Sequence, residues 1–252
     1  MAGASEGLGE AFARALAARG LHLLLLARRG DALARLADDL RRAHGVEVRT
    51  LALDLGAPGL EAAVRGAVAG LEVGLLVHNA AASAIGPFLD RPLSAQLEVL
   101  EVNCRSTLVL CHLLGGEMAR RGRGGLLLMA SLAGGQGNPW LASYAASKAF
   151  EIVLAEGLWA ELRGRGVDVL ACRAGATRTP GFAASRPRAE VPLMSPEAVV
   201  AAALGALGRG PTVVAGPLNR LAAFLFTRLL PRRAAIRVME RATRRLYEEP
   251  AP

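Results

Sequence analysis

The sequence predicts a doubly wound α/β fold in a single domain, and three observations predict it. Strand-sized apolar runs alternate without pause with stretches of alanine, leucine and charge at helical spacing. Parallel neighbours need a crossover element, so this alternation means a parallel sheet covered on both faces. A glycine-rich turn opens the first helix, and no internal repeat, low-complexity linker or charge block divides the 252 residues. A chain of this length buries roughly 70–75% of its unfolded surface without a metal or disulfide staple.

In chain order, the turn comes first: Gly3-Ala4-Ser5-Glu6-Gly7-Leu8-Gly9 runs directly into a helix with Ala11, Ala15 and Leu16 on its apolar face. Glycines at a strand-to-helix turn let the backbone approach a pyrophosphate, whose charge the helix N-terminus stabilises. In a chain with 29 glycines, a plain glycine-rich turn is the alternative. Strands are expected at 21–27, 46–53, 74–78, 125–131, 167–173 and 212–215, with helices at 9–19, 31–44, 94–120, 143–163 and 196–207. Beyond the last strand, 219–249 forms two amphipathic helices separated by Pro231, with apolar-face positions 221, 225 and 229 in one and 236, 239, 243 and 246 in the other. The expected division is a dinucleotide-binding catalytic part at 1–217 and a basic helical extension at 218–252.

Composition excludes the disordered and fibrous classes: 52% of residues are hydrophobic, 21% charged and 4% aromatic. The net charge of +8 is concentrated late, with nine arginines against three glutamates from Arg209 onward. Such a tail attracts an anionic surface or is a solvated helix face. Cys104, Cys111 and Cys172 have no ligand spacing, so they are expected as buried small hydrophobes in a reducing, cytoplasmic protein without a metal. No apolar run reaches the ~18 residues of a membrane span. Glu6, Glu10, Arg14 and Arg19 interrupt any signal-like apolar region.

Of the 30 lysine and arginine residues, Lys148 is the one lysine. Arginine has been favoured wherever a positive charge suffices, so the surviving lysine stands where a compact ammonium of adjustable pKa is needed. Tyr144, one of two tyrosines, lies four residues before it. At i and i+4 on a helix the two share a face, roughly 5–6 Å apart at Cβ, where the ammonium favours the phenolate. That makes an acid–base pair.

Tyr144-Ala145-Ala146-Ser147-Lys148, preceded by Ser131 at a strand end, Asn103, Asn79-Ala80-Ala81 and the Gly3 to Gly9 turn, resembles the short-chain dehydrogenase/reductase family from Gly3 to about Pro180. The resemblance implies a sheet of seven parallel strands and hydride transfer between a nicotinamide and a carbonyl or alcohol. Tyr144 takes the place of the general acid. Lys148 lowers its pKa and bonds the nicotinamide ribose, Ser131 bonds the substrate oxygen, and Asn103 holds a water in the proton relay. The cofactor set it implies is Gly3, Ser5, Glu6, Gly7, Leu8, Gly9, Arg28, Arg29, Asp54, Leu55, Asn79, Ala80, Tyr144, Lys148, Gly175 and Thr177. NAD enzymes place an acid at the end of the second strand; here Arg28 and Arg29 stand there, which favours the 2′-phosphate of NADP (NADPH). Either arginine is otherwise a turn residue, and Asp54 otherwise a helix cap.

Two departures stand out. Ala174 occupies the family's usual proline position in Arg173-Ala174-Gly175-Ala176-Thr177, which implies a looser loop over the nicotinamide. Only Met1 and Ala2 precede Gly3, too few for a first strand of about five or six residues. The expectation is therefore a sheet lacking its central first strand, with unpaired edges on either side, in a chain whose start was assigned too late. The alternative function is a non-catalytic dinucleotide-binding scaffold. The expected partners are a small carbonyl or alcohol substrate, which Phe182, Val191, Leu193 and Met194 suggest is apolar, and a second copy of the chain in a dimer or tetramer. No nucleic acid is expected, and peripheral membrane contact through the tail remains open.

Overall fold

The computed structural model describes residues 1–248, so Glu249 of the expected second tail helix and 250–252 lie outside the described residues. Six strands are present: β1 (Leu23–Ala27), β2 (Val48–Ala52), β3 (Leu75–His78), β4 (Gly124–Ser131), β5 (Val167–Ala174) and β6 (Thr212–Val214). All pair in parallel, β1 with β2 and then β3–β4–β5–β6 in that order. Leu126 and Leu128 of β4 face one apolar cluster and Leu127 the other, since successive side chains of a strand point to opposite faces. Burial on both faces explains why β1, β3 and β4 are near-continuous apolar runs, whereas β2 at the sheet edge is exposed at Arg49, Thr50 and Ala52.

The described helices are α1 (Gly7–Ala17), α2 (Gly30–His44), α3 (Leu60–Ala67), α4 (Leu93–Leu100), α5 (Ser106–Arg121), α6 (Ala142–Leu162), α7 (Pro180–Ala184), α8 (Pro196–Ala206), α9 (Pro217–Phe224) and α10 (Arg232–Tyr247), and six of them cover the two faces of the sheet. One cluster gathers Phe12, Leu33, Leu40 and Val199 from α1, α2 and α8; the other gathers Leu60, Leu110, Met118 and Ile152 from α3, α5 and α6. On α1 the buried face is Phe12, Ala13, Leu16 and Ala17, so the expected stripe is rotated and Ala11 and Ala15 lie at its border. The single helix expected at 94–120 is interrupted by a wide turn at Glu101–Arg105, which joins α4 to α5.

The gap expected between β1 and β3 is corrected at one level of the sheet. Ala2 forms parallel bridges to both Leu26 and His78. Its amide donates to Val77 O (2.9 Å), its carbonyl accepts from Asn79 N (3.0 Å), and Leu26 N donates to Met1 O (2.8 Å). Met1 and Ala2 thus connect the halves without forming a strand, and the described residues hold six strands rather than seven. The consequence for function is that Gly3 emerges at the C-terminal edge of the sheet, between the ends of β1 and β3.

The tail splits in two. Ala235 and Thr243 of α10 are buried, and Thr243 Oγ1 donates to Asn138 Oδ1 at 2.8 Å, as expected of a helix packed on its own protein. α9, which continues through a wide turn at Leu225–Leu229, leaves its apolar stripe open instead: Leu221 is 57% and Leu229 61% exposed. Among the described residues no helix is long and apolar enough to cross a membrane.

Candidate active site

The C-terminal ends of the parallel strands open on one cavity of about 720 Å³, where ligands of open α/β sheets are held. Gly3, Ser5, Glu6, Gly7 and Leu8 line it from the first turn, Arg28 and Arg29 from beyond β1, Asp54 and Leu55 from beyond β2, and Asn79 and Ala80 from beyond β3. Ser131, Tyr144, Lys148, Gly175 and Thr177 complete the expected set on it. Gly9 and Asn103 do not line it. Gly9 lies against the turn itself, where a Cβ would fall 1.8 Å from Gly3 O, so its role is the close approach of helix and turn.

Two features of the turn fit a nicotinamide dinucleotide. Gly3 takes φ +77°, and a Cβ there would lie 2.6 Å from Ala80 N, so only glycine keeps this wall open. No side chain caps α1 at Glu6, and its first residues Gly7 and Leu8 line the cavity, which suits this helix N-terminus to an anion. Arg29 Nη2 pairs with Glu6 Oε2 at 2.6 Å and donates to Ser5 Oγ at 3.0 Å, while Arg28 Nη1 lies 3.5 Å from Glu98 Oε1. Asp54 both lines the cavity and closes a local turn, accepting from Gly56 N at 2.9 Å.

Opposite the turn stands α6. Tyr144 is in its first turn and Lys148 one turn on, with the ammonium 5.8 Å from the centre of the Tyr144 ring. The lysine does not reach outward. Lys148 Nζ donates to Met129 O (2.8 Å) and to both Glu151 oxygens (2.8 and 2.9 Å), and Glu151 is fully buried. Burial by itself would lower the lysine's pKa, but the Glu151 carboxylate leaves it above the ordinary value; burial raises that of Glu151, against the pull of the Lys148 charge and its hydrogen bonds. Ser131 Oγ accepts from Ala133 N at 3.2 Å, which leaves its own hydrogen free to donate into the cavity.

Asn103 sits in the wide turn between α4 and α5 with no exposed surface. Its amide donates to Ala82 O (3.0 Å) and Ser147 Oγ (2.8 Å), and its oxygen accepts from Ala82 N (2.7 Å). Both side-chain N–H groups of Asn103 thus fasten the loop after β3 to α6. The loop beyond Ala174, expected to be loose, is tied down: Arg178 N donates to Met194 O (2.9 Å) and Met194 N to Ala176 O (3.0 Å). Thr177 is buried in it and donates to Gly175 O at 3.0 Å. Cys111 and Cys172 are buried, but Cys104 is only partly so.

Several residues on or beside the cavity escaped the sequence reading, Tyr247 and Glu151 among them. Thr179 and Ser185 line it from around α7, and Tyr247 reaches it from the end of α10, its hydroxyl 3.3 Å from Ser185 Oγ. The signal for Tyr247 was available, since it is the only other tyrosine. Glu151 offered only its spacing from Tyr144, which gives a face and not a depth.

Residues 1–190 match the short chain dehydrogenase family. The chain belongs to it. It is 31% identical over 224 residues to a 7beta-hydroxysteroid dehydrogenase of Collinsella aerofaciens, covering 86% of this chain and 85% of that one. A solved 7beta-hydroxysteroid dehydrogenase structure superimposes with a TM-score of 0.88 at 29% identity, covering 94% of each chain. A short-chain dehydrogenase from Sphingobium yanoikuyae in complex with NADPH gives 0.79 at 29% identity, over 89% of this chain and 90% of that one. Membership makes this protein an oxidoreductase of CH–OH and C=O groups in a family that binds nicotinamide cofactors.

Proposed function

We propose that this short-chain dehydrogenase is an NADP-dependent oxidoreductase interconverting an apolar ketone and its alcohol, with Tyr144 as the general acid and base. The observation that carries this reading is the convergence of Tyr144, Ser131 and Lys148 on the cavity that also receives the uncapped N-terminus of α1. The bound cofactor supplies the hydride. Ser131 donates its free hydrogen to the substrate oxygen, and Tyr144 hands that oxygen a proton in reduction and takes it back in oxidation. Lys148 holds its ammonium 5.8 Å from the centre of the Tyr144 ring, and Asn103 acts from behind by fixing Ala82 and Ser147. The catalytic part is residues 1–217.

NADP as the cofactor is supported by Arg28 and Arg29, whose present partners are exposed carboxylates in pairs of little strength, so both guanidinium groups are available to a 2′-phosphate. The NADPH complex of the Sphingobium relative supports the same choice. For the substrate, Ile85, Leu141 and Phe182 on the cavity wall and the likeness to a hydroxysteroid dehydrogenase support a bulky, apolar alcohol or ketone. A cytoplasmic location fits the three unpaired thiols. A homo-oligomer is supported by the exposed Leu218, Leu221 and Leu229 of the tail, with membrane-surface contact the second use of that stripe.

Replacing Arg28 and Arg29 by neutral residues tests the cofactor assignment. The expected result, by fluorescence titration, is NADPH affinity weakened on the order of 10–100-fold with NADH little changed, because only NADPH presents a phosphate to pair with. Equal losses for both, or a wild-type preference for NADH, contradict it.

A further inference from the structure

Seven residues beyond Tyr144, two turns along α6, Glu151 shares its face and has no exposed surface. Its two oxygens and Met129 O together accept from Lys148 Nζ at 2.8–2.9 Å. An ammonium has three hydrogens, so each has its acceptor here and none remains for a new one. With side chains 2% and 0% exposed, this is the one ion pair among the described residues in which both partners are fully buried.

The other groups facing the pair do not compete for its charges. Cys104, from the wide turn before α5, has its pKa raised by burial and by Glu151; that of Cys111 on α5 is pushed up to about 12 by the same two causes. Both thiols stay protonated. His78 at the end of β3 is held neutral, lowered to about 3 by burial, the Lys148 charge and the Met1 amino group, and Tyr144 completes the surroundings from α6 itself. Among the described residues, Glu151 is therefore the one carboxylate paired with the lysine. A buried cation deprived of its counter-ion either destabilises the fold or sheds its proton.

We propose that Glu151 is a positioning residue for Lys148: it keeps the ammonium charged in the dry interior and holds it back until the cofactor offers acceptors in exchange. The inference rests on the reading of Lys148 as the partner of Tyr144. It assigns Glu151 no contact with substrate or cofactor.

Because Lys148 is the chain's single lysine, protein labelled at lysine Cε and Nζ gives one side-chain NMR signal, which reads the idea without any turnover. In the full-length wild type that signal should stay that of an ammonium up to about pH 10 and shift on addition of NADPH. In Glu151→Gln the titration midpoint should fall by about two units, and in Glu151→Asp, which keeps a shorter carboxylate and guards against a misfolded first variant, by about one. With a carbonyl substrate, Glu151→Gln should lower kcat about tenfold with KM little changed, and the alkaline limb of its pH–rate profile should move down with the lysine's midpoint. The same midpoint in wild type and both variants, no response to NADPH, or an unchanged kcat and profile in Glu151→Gln would each overturn the proposal. A wild type without turnover refutes the functional reading instead, and the lysine titration still decides this one.

Discussion

His78 is the one buried histidine of four, directly before the Asn79 that lines the cavity. Its Nε2 lies 2.8 Å from Ser106 Oγ in a setting that disfavours charge, which lowers its pKa from 6.5 to about 3. A folded-state value below the unfolded one means that neutral His78 contributes its full stability above pH 6.5 and loses it as pH falls toward 3. Relative to His78→Gln, which keeps a donor for Ser106, the wild type should lose about 1.4 kcal/mol of unfolding free energy per pH unit in that window. Urea denaturation at several pH values checks this, and a pH-independent difference between the two proteins counts against a buried neutral imidazole.

Among elements, α10 does what the tail's first helix does not. Its Thr243 hydroxyl holds Asn138, the Leu246 carbonyl accepts from Arg188 N at 2.8 Å, and Tyr247 reaches the cavity beside α7. Removing residues after Pro231 should cost roughly 3 kcal/mol, a fall in Tm of ~6–12 °C, and raise KM for substrate more than for cofactor. Unchanged melting and KM in the shortened chain would make α10 an appendage. Apolar periodicity exposed both tail helices to view, as it did all six strands, but a stripe of leucines does not say whether anything covers it. That is why α9 and α10 looked alike and differ. The turn that carries Asn103 was hidden for a related reason: residues 94–120 keep helical composition throughout, and one widened turn leaves no mark in spacing. The turn at the cavity was also legible, because Gly3 and Gly9 stand where a Cβ would collide with Ala80 and Gly3. Glu151 was not, because its burial depends on Cys104, Cys111 and Met129 arriving from elsewhere in the chain.

At the scale of the whole molecule, the parallel sheet delivers the ends of β1 to β5 to one edge, and the two-residue bridge at Ala2 keeps Gly3 at the centre of that edge. What the proposed chemistry needs then meets at one place: the uncapped start of α1, arginines beyond β1, and Ser131 and Tyr144 on the same cavity. The account stands or falls on Tyr144. Oxidation of NADPH should be followed by its absorbance with a panel of bulky apolar ketones, comparing wild type with Tyr144→Phe and verifying cofactor binding separately in both. The account predicts turnover of at least one ketone by the wild type, a loss on the order of 1,000-fold in the variant, and NADPH binding preserved. Turnover that survives the loss of the phenol, or NADPH binding without turnover of any ketone in the wild type, would contradict it.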